Sequence, residues 1–116
     1  MQTNQENVRP WGRYDVIDEG DGFKVKRVTV NPGKRLSYQR HKRRQERWTM
    51  VSGRALLTLE DESSEKSRGD AVFIPVGAKH RIENIGTDPV VFVEVQIGDY
   101  LGEDDIERLA DDYERV

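Results

Sequence analysis

Four side chains in this sequence could hold a divalent metal ion. Gln39 and His41 lie two positions apart, so on a β-strand both would point to the same face. Glu46 follows after a basic stretch, and His80 comes just behind the turn-forming segment Ile-Pro-Val-Gly-Ala-Lys. Two imidazoles, a carboxylate and an amide oxygen could bind Zn, Mn, Fe, Co or Ni and leave positions open for water or substrate. The chain has no cysteine, which excludes thiolate zinc sites, disulfides and cysteine nucleophiles.

A run of positive charge between residues 40 and 47 is the second chemical feature. Five Lys or Arg residues occupy these eight positions, in a chain whose formal net charge is -3. Guanidinium groups bind phosphate in a bidentate way, so Arg43, Arg44 and Arg47 are candidates for holding a small anionic substrate. The rest of the run is expected to be solvated, as charge runs usually are.

Strand alternation makes a prediction about which side chains in this run face inward. If the strand continues, Gln39, His41 and Arg43 face a cavity, whereas Arg44 faces out. A bend before Glu46 breaks this alternation, so the inward arginine is left open. The acidic chain also lacks the wide basic face of a nucleic-acid binder, and no nucleic-acid partner is expected.

Short β-strands are the elements that must position these residues. Alternating apolar runs separated by turn residues are typical of an antiparallel barrel or sandwich. The predicted strands are residues 13–18, 23–30, 35–41, 47–53, 54–60, 71–77, 80–84 and 90–98. The polar residues 61–70 are predicted to form a loop.

In the C-terminal segment the apolar residues recur with the period of a helix instead of that of a strand. Ile106, Leu109, Ala110 and Tyr113 are spaced i, i+3, i+4 and i+7, which predicts one apolar face of an α-helix over residues 103–116. Acidic residues at the start of this segment suit the positive end of a helix dipole. We expect the helix to dock on the barrel.

The length of 116 residues predicts a single domain. Residues 1–9 are expected to be a flexible lead-in, residues 10–102 the barrel, and residues 103–116 a helix of the same domain. No apolar run approaches the roughly 20 residues of a membrane helix, and the polar N-terminus has no signal-peptide core. With no disulfides, we expect a cytoplasmic protein with no membrane partner.

Two spaced strings of residues resemble the paired motifs of the cupin superfamily. The strings are Gly33-x5-Gln39-x-His41-x4-Glu46-x6-Gly53 and Gly69-x5-Pro75-x-Gly77-x2-His80-x3-Asn84. The second matches at every defining position, whereas the first has Gln39 where the superfamily usually has a histidine. The resemblance implies an all-β, double-stranded β-helix (jelly-roll) barrel, with Gln39, His41, Glu46 and His80 at the metal-ligand positions.

A narrower resemblance covers nearly the whole chain. The Arg-Pro-Trp-Gly opening, the Gln before the His, and the tail Gly-Asp-Tyr-Leu-Gly-Glu-Asp-Asp are similar to the type II mannose-6-phosphate isomerase family. The same cupin unit is the C-terminal domain of bifunctional mannose-1-phosphate guanylyltransferases. The sequence shows no nucleotidyltransferase domain, so the resemblance implies metal-dependent interconversion of an aldose phosphate and a ketose phosphate only. Lys42, Arg43 and Arg47 stand where the family has histidines.

Several questions stay open at the level of sequence. Retention of the four ligand positions favours an isomerase, whereas loss of the three histidines favours a non-catalytic cupin that binds a sugar, a nucleotide sugar or another small anion. A cupin dioxygenase is a weaker alternative, because Gln39 departs from the usual oxygenase ligand sets. No base is assigned among Glu83, Glu94 and Lys79. A homodimer is expected by analogy, since exposed strand edges need covering.

Overall fold

The computed structural model describes residues 7–113, and these residues form eleven β-strands. The strands are β1 (Val8–Arg9), β2 (Gly12–Gly20), β3 (Phe23–Val30), β4 (Tyr38–Arg40), β5 (Arg44–Ser52), β6 (Ala55–Leu59), β7 (Glu62–Lys66), β8 (Ala71–Ile74), β9 (His80–Asn84), β10 (Val90–Gly98) and β11 (Glu107–Ala110). Six strands form one sheet in the order β1-β2-β3-β10-β5-β8. Five form the other in the order β11-β4-β9-β6-β7. The strand pairs are antiparallel, which confirms the all-β prediction.

The interior changes character from one end of the strands to the other. Along β3, β5 and β10, alternate residues face inward, as the pleat requires. At one end the inward residues are apolar, and Val30, Val90, Met50 and Phe92 are almost completely buried. At the other end the same strands bury polar and charged groups: Lys26, Arg44, Glu46, Glu94 and Gln96. The apolar end therefore holds the two sheets together, and the polar end is available for chemistry.

The predicted C-terminal helix is wrong. Residues 7–113 contain no α-helix, and the segment forms a turn followed by β11, which pairs with β4. The apolar residues of the supposed helical face go to different places: Ile106 lines a pocket, Tyr113 packs against the core and Leu109 is 40% exposed. Pairing with the open edge of β4, and the hydrogen bonds that Asp105 accepts from the amides of Lys42 and Arg43, hold the segment extended. These tertiary contacts outweigh a marginal helical preference. Residues 114–116 lie outside the described part.

Two smaller predictions also need correction. The supposed loop 61–70 contains β7, which pairs with β6 through a tight turn at Glu60 and Asp61. Both turn residues have positive φ angles, 49° and 68°, so the turn forms without the glycine that usually marks such a hairpin. In the predicted lead-in, Val8 and Arg9 form β1 and pair with β2. Residues 1–6 lie outside the described part.

No helix in residues 7–113 has both the length and the apolar character needed to span a lipid bilayer.

Candidate metal centre

Strand register brings three of the four predicted ligands to one end of the barrel. Gln39 on β4 lies directly opposite His80 on β9. Glu46 lies on β5, in the other sheet, and faces inward. His41 immediately follows β4 and completes the group. All four side chains are at least nine-tenths buried, and Glu46 and His80 are only 2% exposed. The ligand atoms of His41, Glu46 and His80 lie within 4.8 Å of one another.

Backbone carbonyls fix the orientation of both imidazoles. The Nδ1 atom of His41 lies 2.7 Å from the carbonyl oxygen of Asp105, and that of His80 lies 3.0 Å from the carbonyl oxygen of Ala78. Since a carbonyl only accepts, each Nδ1 carries the hydrogen and donates it. Each Nε2 therefore carries a lone pair, and this is the arrangement that metal-binding histidines commonly have. Burial lowers the pKa of His41 to about 4, so its imidazole is neutral at pH 7.

The carboxylate of Glu46 is held from two sides. The Arg44 guanidinium donates to its Oε2 atom at 2.8 Å, and the Trp48 indole donates to its Oε1 atom at 3.0 Å. Burial by itself raises the pKa of Glu46, but the Arg44 charge and the two imidazoles outweigh burial and lower the pKa to about 2. Glu46 is consequently ionised in the folded protein under ordinary conditions.

The donor set fits a divalent metal ion. The Nε2 atom of His41 lies 3.2 Å from Oε2 of Glu46. Both atoms are acceptors, so they repel each other unless a positive charge lies beside them. The Arg44 guanidinium provides such a charge at 3.3 Å from Nε2 of His41. Two imidazoles and a carboxylate are ligands for Zn, Mn, Fe, Co or Ni. Gln39 could add an amide oxygen from the same pocket.

A pocket opens above these groups. Its cavity volume, measured to the centres of water-sized molecules, is about 90 Å³, so it has room for several water molecules. Its wall combines apolar side chains with both signs of charge. The charged residues that line it, other than Glu46, are Arg9, Lys26, Arg44, Glu94, Glu103 and Arg108. Such a pocket can take a small polar ligand.

The structure separates the three arginines predicted to bind substrate. Arg44 is 6% exposed and lines the pocket. The side chain of Arg43 is 53% exposed and pairs with Asp99 at 3.1 Å. Arg47 packs over the exposed ring of Phe73, with 4.4 Å between the guanidinium carbon and the ring centroid. The inward position therefore belongs to Arg44 and not to Arg43, contrary to simple alternation.

The pocket also contains Lys26 and Arg108, which had no predicted role, and Glu94, which was one of three base candidates among which no choice was made. One signal was present for Glu94: it stands at an inward position of the strand that also buries Phe92. A charged residue in such a position is seldom buried without a reason. Arg108 could not be found from sequence, because the segment that carries it was predicted to be helical.

Comparison with known proteins decides the family. The family described as "Mannose-6-phosphate isomerase C-terminal" matches residues 1–111. The chain belongs to this family. It is 48% identical over 115 residues to the alginate biosynthesis protein AlgA of Pseudomonas aeruginosa and 45% identical over 115 residues to the mannose-1-phosphate guanylyltransferase of Escherichia coli. Each match covers 99% of this chain and 24% of the relative, so the chain spans about a quarter of the length of these proteins.

Solved structures agree on the fold. The cupin domain of Cnp3 from Schizosaccharomyces pombe matches with a TM-score of 0.72 and 16% identity, over 75% of this chain and 64% of that one. A putative sugar phosphate isomerase from Acidithiobacillus ferrooxidans matches with a TM-score of 0.61 and 28% identity, over 66% of this chain and 50% of that one. The predicted cupin barrel is confirmed, and the chain is related to sugar phosphate isomerases.

Proposed function

We propose that this chain is a metal-dependent isomerase that interconverts an aldose phosphate and a ketose phosphate, with mannose 6-phosphate as the first substrate to test. The observation that supports it most is the buried group of His41, Glu46 and His80, whose ligand atoms lie within 4.8 Å of one another beneath a pocket. Family membership and a sugar phosphate isomerase among the structural relatives point the same way.

In this proposal each residue of the site would have a distinct role. His41, Glu46, His80 and Gln39 would hold the ion, which would supply Lewis-acid polarisation of the sugar oxygens at C1 and C2. Arg44 and Trp48 hold the Glu46 carboxylate in place through hydrogen bonds. The positive groups around the pocket would attract the phosphate.

The histidines that the family has and this chain lacks would not sit in the pocket. Lys42, Arg43 and Arg47, which replace them, are all exposed. None of the three lines the pocket among the described residues. Their replacement therefore leaves the described ligand geometry intact, which favours the isomerase over the non-catalytic alternative.

Metal content is the first test. The purified protein should bind one Zn, Mn, Fe, Co or Ni ion per chain, measured by elemental analysis after dialysis against each ion. The Glu46→Gln/His80→Gln variant should bind none, because it loses a carboxylate and an imidazole while keeping side chains that can form hydrogen bonds. Glu83→Gln is the control, since Glu83 is on the same strand as His80 but outside the pocket.

Turnover then separates the two candidate functions. The isomerase proposal expects conversion of mannose 6-phosphate by the metal-loaded protein and none by the double variant. A wild-type protein that takes up no metal contradicts the proposal. A protein that binds metal and sugar phosphates but converts none of them is instead a non-catalytic binding cupin.

We also propose that the chain acts as a homodimer in the cytoplasm. Strands β8 and β7 end their sheets and leave backbone groups open to pairing, and Phe73 on β8 is 45% exposed. Light scattering coupled to gel filtration should give twice the chain mass of 13.4 kDa. A monomer at micromolar concentrations would refute the dimer.

A further inference from the structure

An aldose–ketose isomerase needs a group that moves a proton between two carbon atoms. The two histidines and Glu46 would be occupied as metal ligands, so another side chain of the pocket must do this. Glu83 and Lys79, two candidates from the sequence, do not line the pocket. Glu83 lies 3.8 Å from Arg35 at the surface, and Lys79 pairs with Asp61 at 3.3 Å.

Two further charged groups of the pocket neutralise each other. The Lys26 ammonium lies 2.5 Å from the Glu103 carboxylate. Burial raises the pKa of Glu103, but Lys26 outweighs this effect and the pKa is lowered. A carboxylate held this way is a weak base, and the Lys26 ammonium is already engaged by it.

Glu94 is placed differently from these groups. It is 6% exposed and lines the pocket from β10, where it lies opposite Lys26 on β3 and Trp48 on β5. Its neighbour on the same face, Gln96, lies opposite Glu46. Glu94 and Glu46 are thus diagonal neighbours on adjacent strands, which places their Cα atoms about 7–8 Å apart. Because both carboxylates line the pocket, a ligand in it would face the two of them.

Gln96 can form a hydrogen bond with Glu94 in either protonation state of its carboxyl group. Its amide nitrogen donates to Glu94 Oε2 at 2.5 Å, whereas its buried Oε1 has no hydrogen-bond partner among the described residues. The two ends of an amide can exchange by rotation, so Gln96 can donate to a carboxylate or accept from a carboxylic acid. A group that takes up a proton in one step and returns it in the next needs such a neighbour.

Burial raises the pKa of Glu94, while Lys26 and Arg44 act in the opposite direction. A buried carboxylate of this kind is a stronger base than an exposed one.

We propose that Glu94 is the base that transfers the proton between C2 and C1 of the sugar phosphate, an inference that rests on the proposed isomerase function. The Glu94 carboxylate removes the proton from C2 of the aldose, and the C2–H electrons form a carbon–carbon double bond to C1. The C1 carbonyl electrons move to O1, which gains a proton and gives an enediol. The O2–H proton is then lost as the C2 carbonyl forms, and Glu94 returns its proton to C1. One proton is gained and one lost at oxygen, so the reaction balances without an oxidant.

Glu94→Gln tests the assignment in the metal-loaded protein. The change keeps shape and hydrogen bonding but removes the base, so kcat for mannose 6-phosphate should fall about 10²- to 10⁴-fold. Exchange of the C2 hydrogen with deuterium from solvent, followed by NMR, should fall in parallel. Metal content and KM should stay within a few-fold of wild type. Glu94→Asp should recover part of kcat, because it restores a carboxylate at a slightly different position.

Glu83→Gln is the control and should match wild type in all four measurements. A fall in kcat of less than ten-fold in Glu94→Gln overturns the base assignment, and so does a fall that is accompanied by loss of the metal. A wild-type protein that binds metal but converts no aldose phosphate overturns the isomerase function itself, together with this inference. The two failures are therefore distinguishable.

Discussion

Burial acts in opposite directions on two neighbouring groups of the pocket. The pKa of His41 falls to about 4 because burial disfavours the imidazolium, and the pKa of Glu94 rises to about 7 because burial disfavours the carboxylate. Both shifts favour the neutral form. Glu46 escapes this trend because Arg44 and the imidazoles outweigh burial and lower its pKa. The pocket therefore keeps the negative charge of Glu46 close to a carboxyl group that can exchange its proton.

The raised pKa of Glu94 predicts a pH-dependent cost to folding. Between the ordinary pKa of 4.5 and the folded pKa of about 7, the folded state binds a proton that the unfolded state does not. Stability is therefore lost as pH rises through this window. Glu94→Gln does not suffer this loss. Its free energy of unfolding relative to that of wild type should therefore be higher at pH 8.5 than at pH 5.5, by roughly 2 kcal/mol. Urea denaturation with a chelator present measures it.

Both proteins contain His41, so its contribution to the pH dependence of stability cancels in the difference between variant and wild type. The Glu83→Gln control should show a constant difference from wild type across the same pH range. A constant difference for Glu94→Gln as well would mean that Glu94 is ionised throughout, contrary to the raised pKa.

The clustering of the candidate ligands could be predicted from spacing, but the direction of the basic residues could not. Gln39, His41, Glu46 and His80 stand at defined distances from turn glycines, and these distances carry over directly into the barrel. Residues 41–43 lie between two strands instead of continuing one, so alternation fails across them and Arg44 becomes the inward residue. A pattern of period two cannot report where a strand is interrupted.

At the scale of elements, the segment before β11 holds neighbouring backbone in place at the pocket end of the barrel. The Asp105 carboxylate accepts hydrogen bonds from the backbone amides of Lys42 and Arg43, each at 3.0 Å. Its carbonyl oxygen accepts from the imidazole of His41. One residue thus holds both the basic bend and a candidate ligand, and a docked helix could not have made these contacts in the same way.

Asp105→Ala should weaken these contacts. Removing the acceptor for two amides should lower the free energy of unfolding by about 1–2 kcal/mol, toward the lower end of the range because these amides are near solvent. Metal affinity should fall as well, because a loosened segment holds the Asp105 carbonyl, which accepts from His41, less firmly in place. Denaturant titration and metal binding by calorimetry measure the two effects.

Asp104→Ala is the matched control, because the Asp104 side chain accepts from the exposed Tyr100 hydroxyl and not from the bend. Its stability should stay within about 0.5 kcal/mol of wild type. If both variants behave alike, Asp105 has no special part in holding the bend.

Elements defined by side-chain pattern could be predicted, whereas those defined by backbone pairing could not. β3 and β10 have buried residues at alternate positions, separated by less buried ones, and were identified with correct bounds. β7 has the sequence Glu-Ser-Ser-Glu-Lys and is largely exposed, so only its pairing with β6 makes it a strand. β11 forms because β4 offers a free edge. Such pairings depend on distant parts of the chain and leave no local period to detect.

At the scale of the whole molecule, charge is distributed unevenly between surface and pocket. The chain has a formal net charge of -3. Its pocket nevertheless brings together four basic side chains: Arg9, Lys26, Arg44 and Arg108. Glu46 and Glu103 offset two of them through ion pairs with Arg44 and Lys26. With Glu94 protonated, the described lining keeps a positive balance, which suits a phosphate-bearing ligand.

This balance predicts that phosphate, more than sugar, controls binding. Mannose 6-phosphate at about ten times its Kd should add roughly 1.4 kcal/mol of stability and raise Tm by about 3–6 °C. Mannose at the same concentration should have little effect. Arg108→Gln should reduce the shift because Arg108 lines the pocket, whereas Arg47→Gln should leave it unchanged because Arg47 packs over Phe73 outside it. Thermal denaturation at fixed salt measures the shift for wild type with each ligand and for each variant with mannose 6-phosphate. Equal stabilisation by mannose, or an equal loss in both variants, would mean that the positive lining does not select the ligand.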